Sequence, residues 1–102
     1  MYKTVMMADL ERAMKKANVH ILDVREPDEY ALGHIPGAIL APTSEFIDHM
    51  NKVEMDKHYY VVCHSGNRSQ AVSAYLGKQG YHVTNVMGGM SVYRGKKAFG
   101  LK

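Results

Sequence analysis

The chain has 102 residues, of which 46% are hydrophobic and 23% charged, with 13 basic and 10 acidic side chains giving a formal charge of +3. That length makes one domain, residues 1–102, able to bury roughly two-thirds of its unfolded surface. The basic residues are scattered rather than striped, no window approaches the roughly 20 apolar residues of a membrane span, and the single cysteine excludes an internal disulfide or a thiolate-rich zinc site.

The first residues, Met1 to Met7, lack the longer apolar core and cleavage site of a signal peptide. A reducing cytoplasm is therefore the expected location, and it suits a free thiol. Tyr2 to Val5 reads as a short strand. Ala8 to Ala17 reads as an amphipathic helix, with Leu10, Ala13, Met14 and Ala17 at helical spacing. Asp9 and Glu11 in its first turn and Lys15 and Lys16 in its last suit the helix dipole, and Glu11 with Lys15 makes a helical ion pair.

Val19 to Val24 is a β-branched run of strand length, stopped by Pro27. Pro27 to Tyr30 makes one helical turn, and Gly33 to Gly37 a turn-rich loop. Ala38 to Ala41 is a short strand. Ser44 caps a helix through Met50 with Phe46, Ile47 and Met50 on one face. Tyr59 to Val62 is an apolar run without alternation, as expected of a strand buried on both faces. A helix from Ser69 to Gln79 follows, with Val72, Tyr75, Leu76 and Gln79 inward and Gly80 past its end. His82 to Met87 is a strand, and Gly88-Gly89 turns the chain into a short helical piece reaching Tyr93 and Arg94. Alternation of this kind predicts an α/β domain: a mainly parallel sheet of about five strands with helices on both faces.

In such a sheet the ligand site lies beyond the carboxyl ends of the strands, where Cys63, Asp23 and Arg25 fall. Cys63 stands where an apolar run gives way to a polar loop, His64-Ser65-Gly66-Asn67-Arg68, and then to a helix. A buried core thiol is the alternative. A loop at a helix N-terminus is an anion cradle, and the same field favours the nucleophilic thiolate. The dipole contributes about 0.3–1 kcal/mol, up to about 2. At about 1.4 kcal/mol per pKa unit it moves a thiol by roughly one unit. Activation at neutral pH therefore also needs N–H donors from Ser65 to Ser69, and Gly66 lets the backbone reverse.

Arg68 reads equally as an anion ligand or as one half of an ion pair. His64 is next to the cysteine, but neighbours on a tight loop point apart. Asp23 is expected to bond loop backbone and Arg25 to pair with a carboxylate such as Glu29, as a supporting shell. The six histidines show no paired helical spacing, so no metal site is expected. Lys96, Lys97 and Lys102 form a loose basic cluster that reads as a solvated tail or an anion patch.

Three stretches together resemble the rhodanese-like family, specifically its single-domain members. Asp23-Val24-Arg25-Glu26-Pro27-Asp28-Glu29-Tyr30 with Gly33-His34-Ile35-Pro36-Gly37-Ala38 is similar to its N-terminal signature. Cys63-His64-Ser65-Gly66-Asn67-Arg68-Ser69 is similar to its active-site loop, and Val86-Met87-Gly88-Gly89-Met90 to its C-terminal signature. The resemblance covers nearly the whole chain.

It implies a sulfurtransferase in which Cys63 takes a sulfane sulfur from thiosulfate or another persulfide donor and passes it to cyanide or a thiol. The main chain from His64 to Arg68 cradles the extra sulfur and Arg68 attracts the donor, with Asp23, Arg25 and Ser69 in support. No cofactor is implied. The expected partners are the small sulfur donor and its acceptor, and a sulfur-relay protein, with the chain itself a monomer and neither nucleic acid nor membrane involved. A persulfide carrier acting only with a partner protein is the alternative.

A phosphatase or arsenate reductase is disfavoured, because four residues rather than five separate Cys63 from Arg68. The chain has no tryptophan, and Tyr93 is expected to fill the place that tryptophan often takes after the second glycine of the C-terminal signature. Glu29 stands where thiosulfate-specific two-domain relatives tend to carry a basic residue, which weakens the case for thiosulfate as the physiological donor.

Overall fold

Five short runs become the strands of one parallel sheet in the computed structural model, which describes residues 2–101. Lys102 of the C-terminal lysine cluster, and Met1 of the expected leaderless start, lie outside the described residues. The strands are β1 (Lys3–Met6), β2 (His20–Asp23), β3 (Ile39–Leu40), β4 (His58–Val62) and β5 (His82–Met87), in the spatial order β1-β5-β4-β2-β3. The helices are α1 (Met7–Lys16), α2 (Pro27–Ala31) and α3 (Asn67–Lys78), with 3₁₀ segments at Thr43–Lys52 and Gly89–Val92.

Strand β4 lies between β2 and β5, which explains its unalternating composition. Tyr59, Val61 and Cys63 pack on one face with Val72 and Leu76 of α3, Phe46 and Val53. Val62 packs on the other with Leu10 of α1, Tyr30 of α2, Met90 and Tyr93. Each face therefore has its own apolar core, and helices cover both, as the alternation of elements predicts. Tyr93 stands in the second core and donates its hydroxyl to Lys96 O at 2.5 Å.

Three expectations are corrected. Thr43–Lys52 is 3₁₀ rather than α-helical, with a break at Glu45 (φ −131°, ψ 30°). Ser44 caps nothing there; its hydroxyl and N–H both go to the Glu26 carboxylate, at 2.5 and 3.2 Å. Phe46 is buried while Ile47 is 68% exposed. In α3, Val72 and Leu76 face inward as expected, but Tyr75 and Gln79 do not. Tyr75 instead meets Phe46 edge-on, ring centroids 6.4 Å apart. In α1, Glu11 accepts the Arg94 N–H at 2.9 Å and is not paired with Lys15.

Candidate active site

The carboxyl ends of β2, β4 and β5 bring Asp23, Cys63 and Gly88-Gly89 to one edge of the sheet. Backbone bonds tie the edge together: Val24 N–H donates to Val62 O at 2.9 Å and Ala41 N–H to Asp23 O at 2.9 Å.

The loop after Cys63 is shaped from the side of β5. Gly88 N–H donates to Ser65 O at 3.0 Å, Met90 N–H to Cys63 O at 2.8 Å and Ser91 N–H to His64 O at 2.8 Å. With three successive carbonyls drawn outward, the loop's N–H groups face inward, where Gly66 N–H reaches Cys63 Sγ at 3.0 Å. The close approach needs glycine on both sides. Gly66 has φ +117°, in the left-handed region, and caps α3. Gly89 has φ +52°, and a Cβ there would stand 2.3 Å from Cys63 O and 2.8 Å from His64 O.

Cys63 itself is buried, 1% exposed. Burial pushes its thiol up, but the Ser69 hydroxyl and the N–H groups of Ser69, Gly66 and Ser65 outweigh that and hold it below its ordinary value. The dipole's small contribution is thus supplemented by direct donors from within the Ser65–Ser69 stretch. Ser69 Oγ stands 3.5 Å from the sulfur and 2.6 Å from Asn85 Oδ1. His64 and Asn67 are exposed, and no hydrogen bond among the described residues joins the His64 ring to the sulfur.

Arg25 departs from expectation in its partner, and Arg68 is found in one of the two roles left open for it, an ion pair. Arg25 pairs with Asp23 rather than Glu29. Its Nε and Nη2 lie 3.0 and 2.8 Å from the two carboxylate oxygens, with both residues buried. Its remaining donors hold Gly33 O at 2.9 Å and Glu29 O at 3.3 Å, so the fork clamps the chain around α2. Asp23 Oδ1 also accepts the Arg25 N–H at 3.1 Å, the backbone bond expected of it.

Glu29 pairs with Arg68 instead, Oε1 to Nη1 at 2.6 Å and Oε2 to Nη2 at 2.9 Å. The Arg68 guanidinium, together with the Glu26 N–H, overcomes the upward push of burial and holds the Glu29 carboxyl at about 2. A cavity of about 330 Å³ opens beside the loop between Arg25, Glu29, Leu32, His64, Met90 and Lys97. Lys97 is in no ion pair among the described residues, and none of them forms a cluster of metal-ligating side chains. No helix among them is long and apolar enough to cross a membrane.

Two residues escaped the reading of the sequence. His34 stacks on Tyr30 (centroids 3.6 Å apart) and bonds its carbonyl through Nδ1 at 2.8 Å, holding the turn after α2. Asn85, 1% exposed in the centre of β5, carried one signal: an amide in the middle of the strand-length stretch His82 to Met87.

The family model of the rhodanese-like domain matches residues 6–96. The chain is 40% identical over 80 residues to the "Putative sulfur carrier protein YrkF" of Bacillus subtilis (strain 168), covering 78% of this chain but only 43% of that protein. It is 33% identical over 84 residues to the thiosulfate sulfurtransferase GlpE of Pseudomonas paraeruginosa (strain DSM 24068 / PA7), covering 81% and 76%. The crystal structure of a rhodanese-like domain protein from Staphylococcus aureus superposes with a TM-score of 0.88 at 33% identity, over 95% of this chain and 97% of that one.

Proposed function

The chain belongs to the rhodanese-like domain family, and from that premise we propose that it is a sulfurtransferase working through a persulfide on Cys63. The Cys63 thiolate attacks the outer sulfur of a donor such as thiosulfate or a thiol persulfide. The donor's S–S bond breaks, sulfite or a thiolate leaves with the electron pair, and Cys63 keeps the sulfur as a persulfide anion. A thiol or cyanide then attacks that outer sulfur and releases the Cys63 thiolate. The two displacements are separated in time, so ping-pong kinetics follow.

The observation that carries the reading is the Gly66 N–H aimed at Cys63 Sγ from 3.0 Å, with the thiol held below its ordinary value. Donors that stabilise a thiolate also stabilise a persulfide anion at the same place. Asp23 and Arg25 fix the chain around α2, which carries the Glu29 that meets Arg68, and do not take part in the chemistry.

Arg68, engaged by Glu29, is a weak magnet for a dianionic donor, whereas Lys97 at the cavity carries an unpaired charge. The neutralised Arg68 favours thiol persulfides over thiosulfate, and the Lys97 charge is open to either anionic donor. The likeness to the "Putative sulfur carrier protein YrkF" supports the second reading, a carrier loaded only by a partner protein.

Intact mass spectrometry tests the chemistry. Incubation with thiosulfate or glutathione persulfide adds about 32 Da, one sulfur atom, to the wild-type chain and nothing to Cys63→Ser. No adduct from any donor overturns the sulfurtransferase reading. Loading by persulfides without steady-state turnover selects the carrier.

A further inference from the structure

Asn85 and Ser69 present a problem of proton counting. Ser69 Oγ lies 2.6 Å from Asn85 Oδ1, 3.2 Å from Gly66 O and 3.5 Å from Cys63 Sγ, and the hydroxyl has one proton to give. Asn85 Nδ2 is buried and has no partner among the described residues. In the arrangement described, the hydroxyl donates to Asn85 Oδ1 and offers a lone pair to the sulfur. That suits a neutral thiol, which donates S–H to Ser69.

It does not suit a thiolate or a persulfide anion. An anionic sulfur needs the Ser69 proton for itself, and taking it would leave two oxygens 2.6 Å apart with no proton between them. Rotating the Asn85 amide by about 180° removes the conflict, because its oxygen and nitrogen occupy nearly the same space. Nδ2 then donates to Ser69 Oγ, and the hydroxyl donates to the sulfur. The rotation also ends the isolation of a buried N–H group, which proteins tolerate less readily than an under-satisfied carbonyl.

We infer that Asn85 is a positioning residue for Cys63: its amide reverses the direction of a Cys63–Ser69–Asn85 hydrogen-bond chain when the sulfur becomes anionic. With a thiol the chain runs from sulfur to Ser69 to Asn85 Oδ1. On ionisation the sulfur's proton leaves to solvent and the chain runs from Asn85 Nδ2 to Ser69 to sulfur. Bonds to an ionised partner are roughly twice as strong as neutral ones, so the reversed chain lowers the thiol's pKa more than the forward chain raises it. The charged group acting on the same sulfur is Arg68, itself held by Glu29 of α2. Asparagine suits the position because its amide offers a donor and an acceptor on one neutral group, whereas aspartate only accepts and leucine does neither.

The inference rests on Cys63 being the reacting thiol but not on any donor, so it is tested on ionisation rather than sulfur transfer. In the wild-type protein labelled with ¹⁵N, the Asn85 side-chain amide resonances should shift with the same midpoint as the pH dependence of Cys63 alkylation by iodoacetamide. Resonances that stay flat through that midpoint overturn the proposal.

Variants give a second arm. Asn85→Leu should raise the thiol pKa enough to cut the thiolate fraction at least threefold below the midpoint, and Asn85→Asp should raise it further. In a Ser69→Ala background, Asn85→Leu should change the alkylation profile no further. An equal Asn85→Leu shift with and without the Ser69 hydroxyl means that the amide acts only on packing, and an unshifted or lowered pKa is equally fatal. Failure here with an intact 32 Da adduct (about one sulfur atom) leaves sulfur transfer standing, whereas a missing adduct with coupled titration does the reverse.

Discussion

Glu29 and Arg68, 39 residues apart in the chain, meet in a two-pronged ion pair with contacts of 2.6 and 2.9 Å. The carboxylate sits on α2 and the guanidinium on the first turn of α3, so the pair bridges the loop that follows β2 and the loop that carries Cys63. It also neutralises a cation beside the loop that carries Cys63.

Glu29→Gln should release Arg68 and lower the KM for thiosulfate by about threefold to tenfold with a smaller change in kcat, an effect confined to donor binding. Raising salt should erode the gain, because an exposed charge is screened. The pair also links folding to acid. The folded carboxyl stands at about 2 against an ordinary 4.5, so its contribution is complete above 4.5 and is lost as pH falls through about 2. Urea titrations of wild type and Glu29→Gln between pH 2 and pH 5 should converge at the acid end.

Asp23→Asn should be the most damaging substitution in the supporting shell. It leaves the buried Arg25 guanidinium without its counter-charge, a change that costs about 3–5 kcal/mol when one partner of a buried pair is removed. The urea midpoint should drop with the slope unchanged. Arg25→Lys should recover little, since a point charge cannot reproduce the fork that also holds Gly33 O and Glu29 O.

Gly89→Ala should loosen the cysteine loop without dismantling the sheet. Beyond the roughly 1–2 kcal/mol cost of a left-handed residue, the new methyl would strike Cys63 O and His64 O and displace the Met90 and Ser91 N–H groups. Amide exchange at Met90 and Ser91 should quicken while that in β4 is retained, and the thiol pKa should rise.

His58 predicts a pH response at the opposite end of the sheet. Burial, then His82, Lys3 and His20, hold its imidazole below the ordinary 6.5, and its Nε2 lies 2.7 Å from Thr84 Oγ1. The unfolded chain therefore binds a proton more readily than the folded one. Stability is complete above 6.5 and falls as pH drops through the folded value. Stability measured by urea from pH 5 to pH 8 should show this slope, and His58→Gln should flatten it.

The alternation of strands and helices and the place of the thiol were readable because they depend on local patterns: an unalternating run for β4, glycine past α3, and a polar loop where an apolar run stops. What could not be read depends on partners distant in the chain. Arg25 and Arg68 both lie within reach of Glu29 on any plausible reading, and only the fold decides that Arg68 takes the carboxylate while Arg25 takes Asp23. The 3₁₀ segment at Thr43–Lys52 was missed for a similar reason, since Ser44 is drawn to Glu26, 18 residues earlier. Asn85 had a signal, but its meaning appears only when β5 is set beside α3.

The bonds from Gly88, Met90 and Ser91 to the carbonyls of the cysteine loop also impose an order in time. As the chain leaves the ribosome, residue 63 emerges well before residue 91, and until Ser91 is free the loop has nothing to draw its carbonyls outward. The nascent chain thus carries an ordinary thiol, and the one held below its ordinary pKa appears only when the last strand has docked.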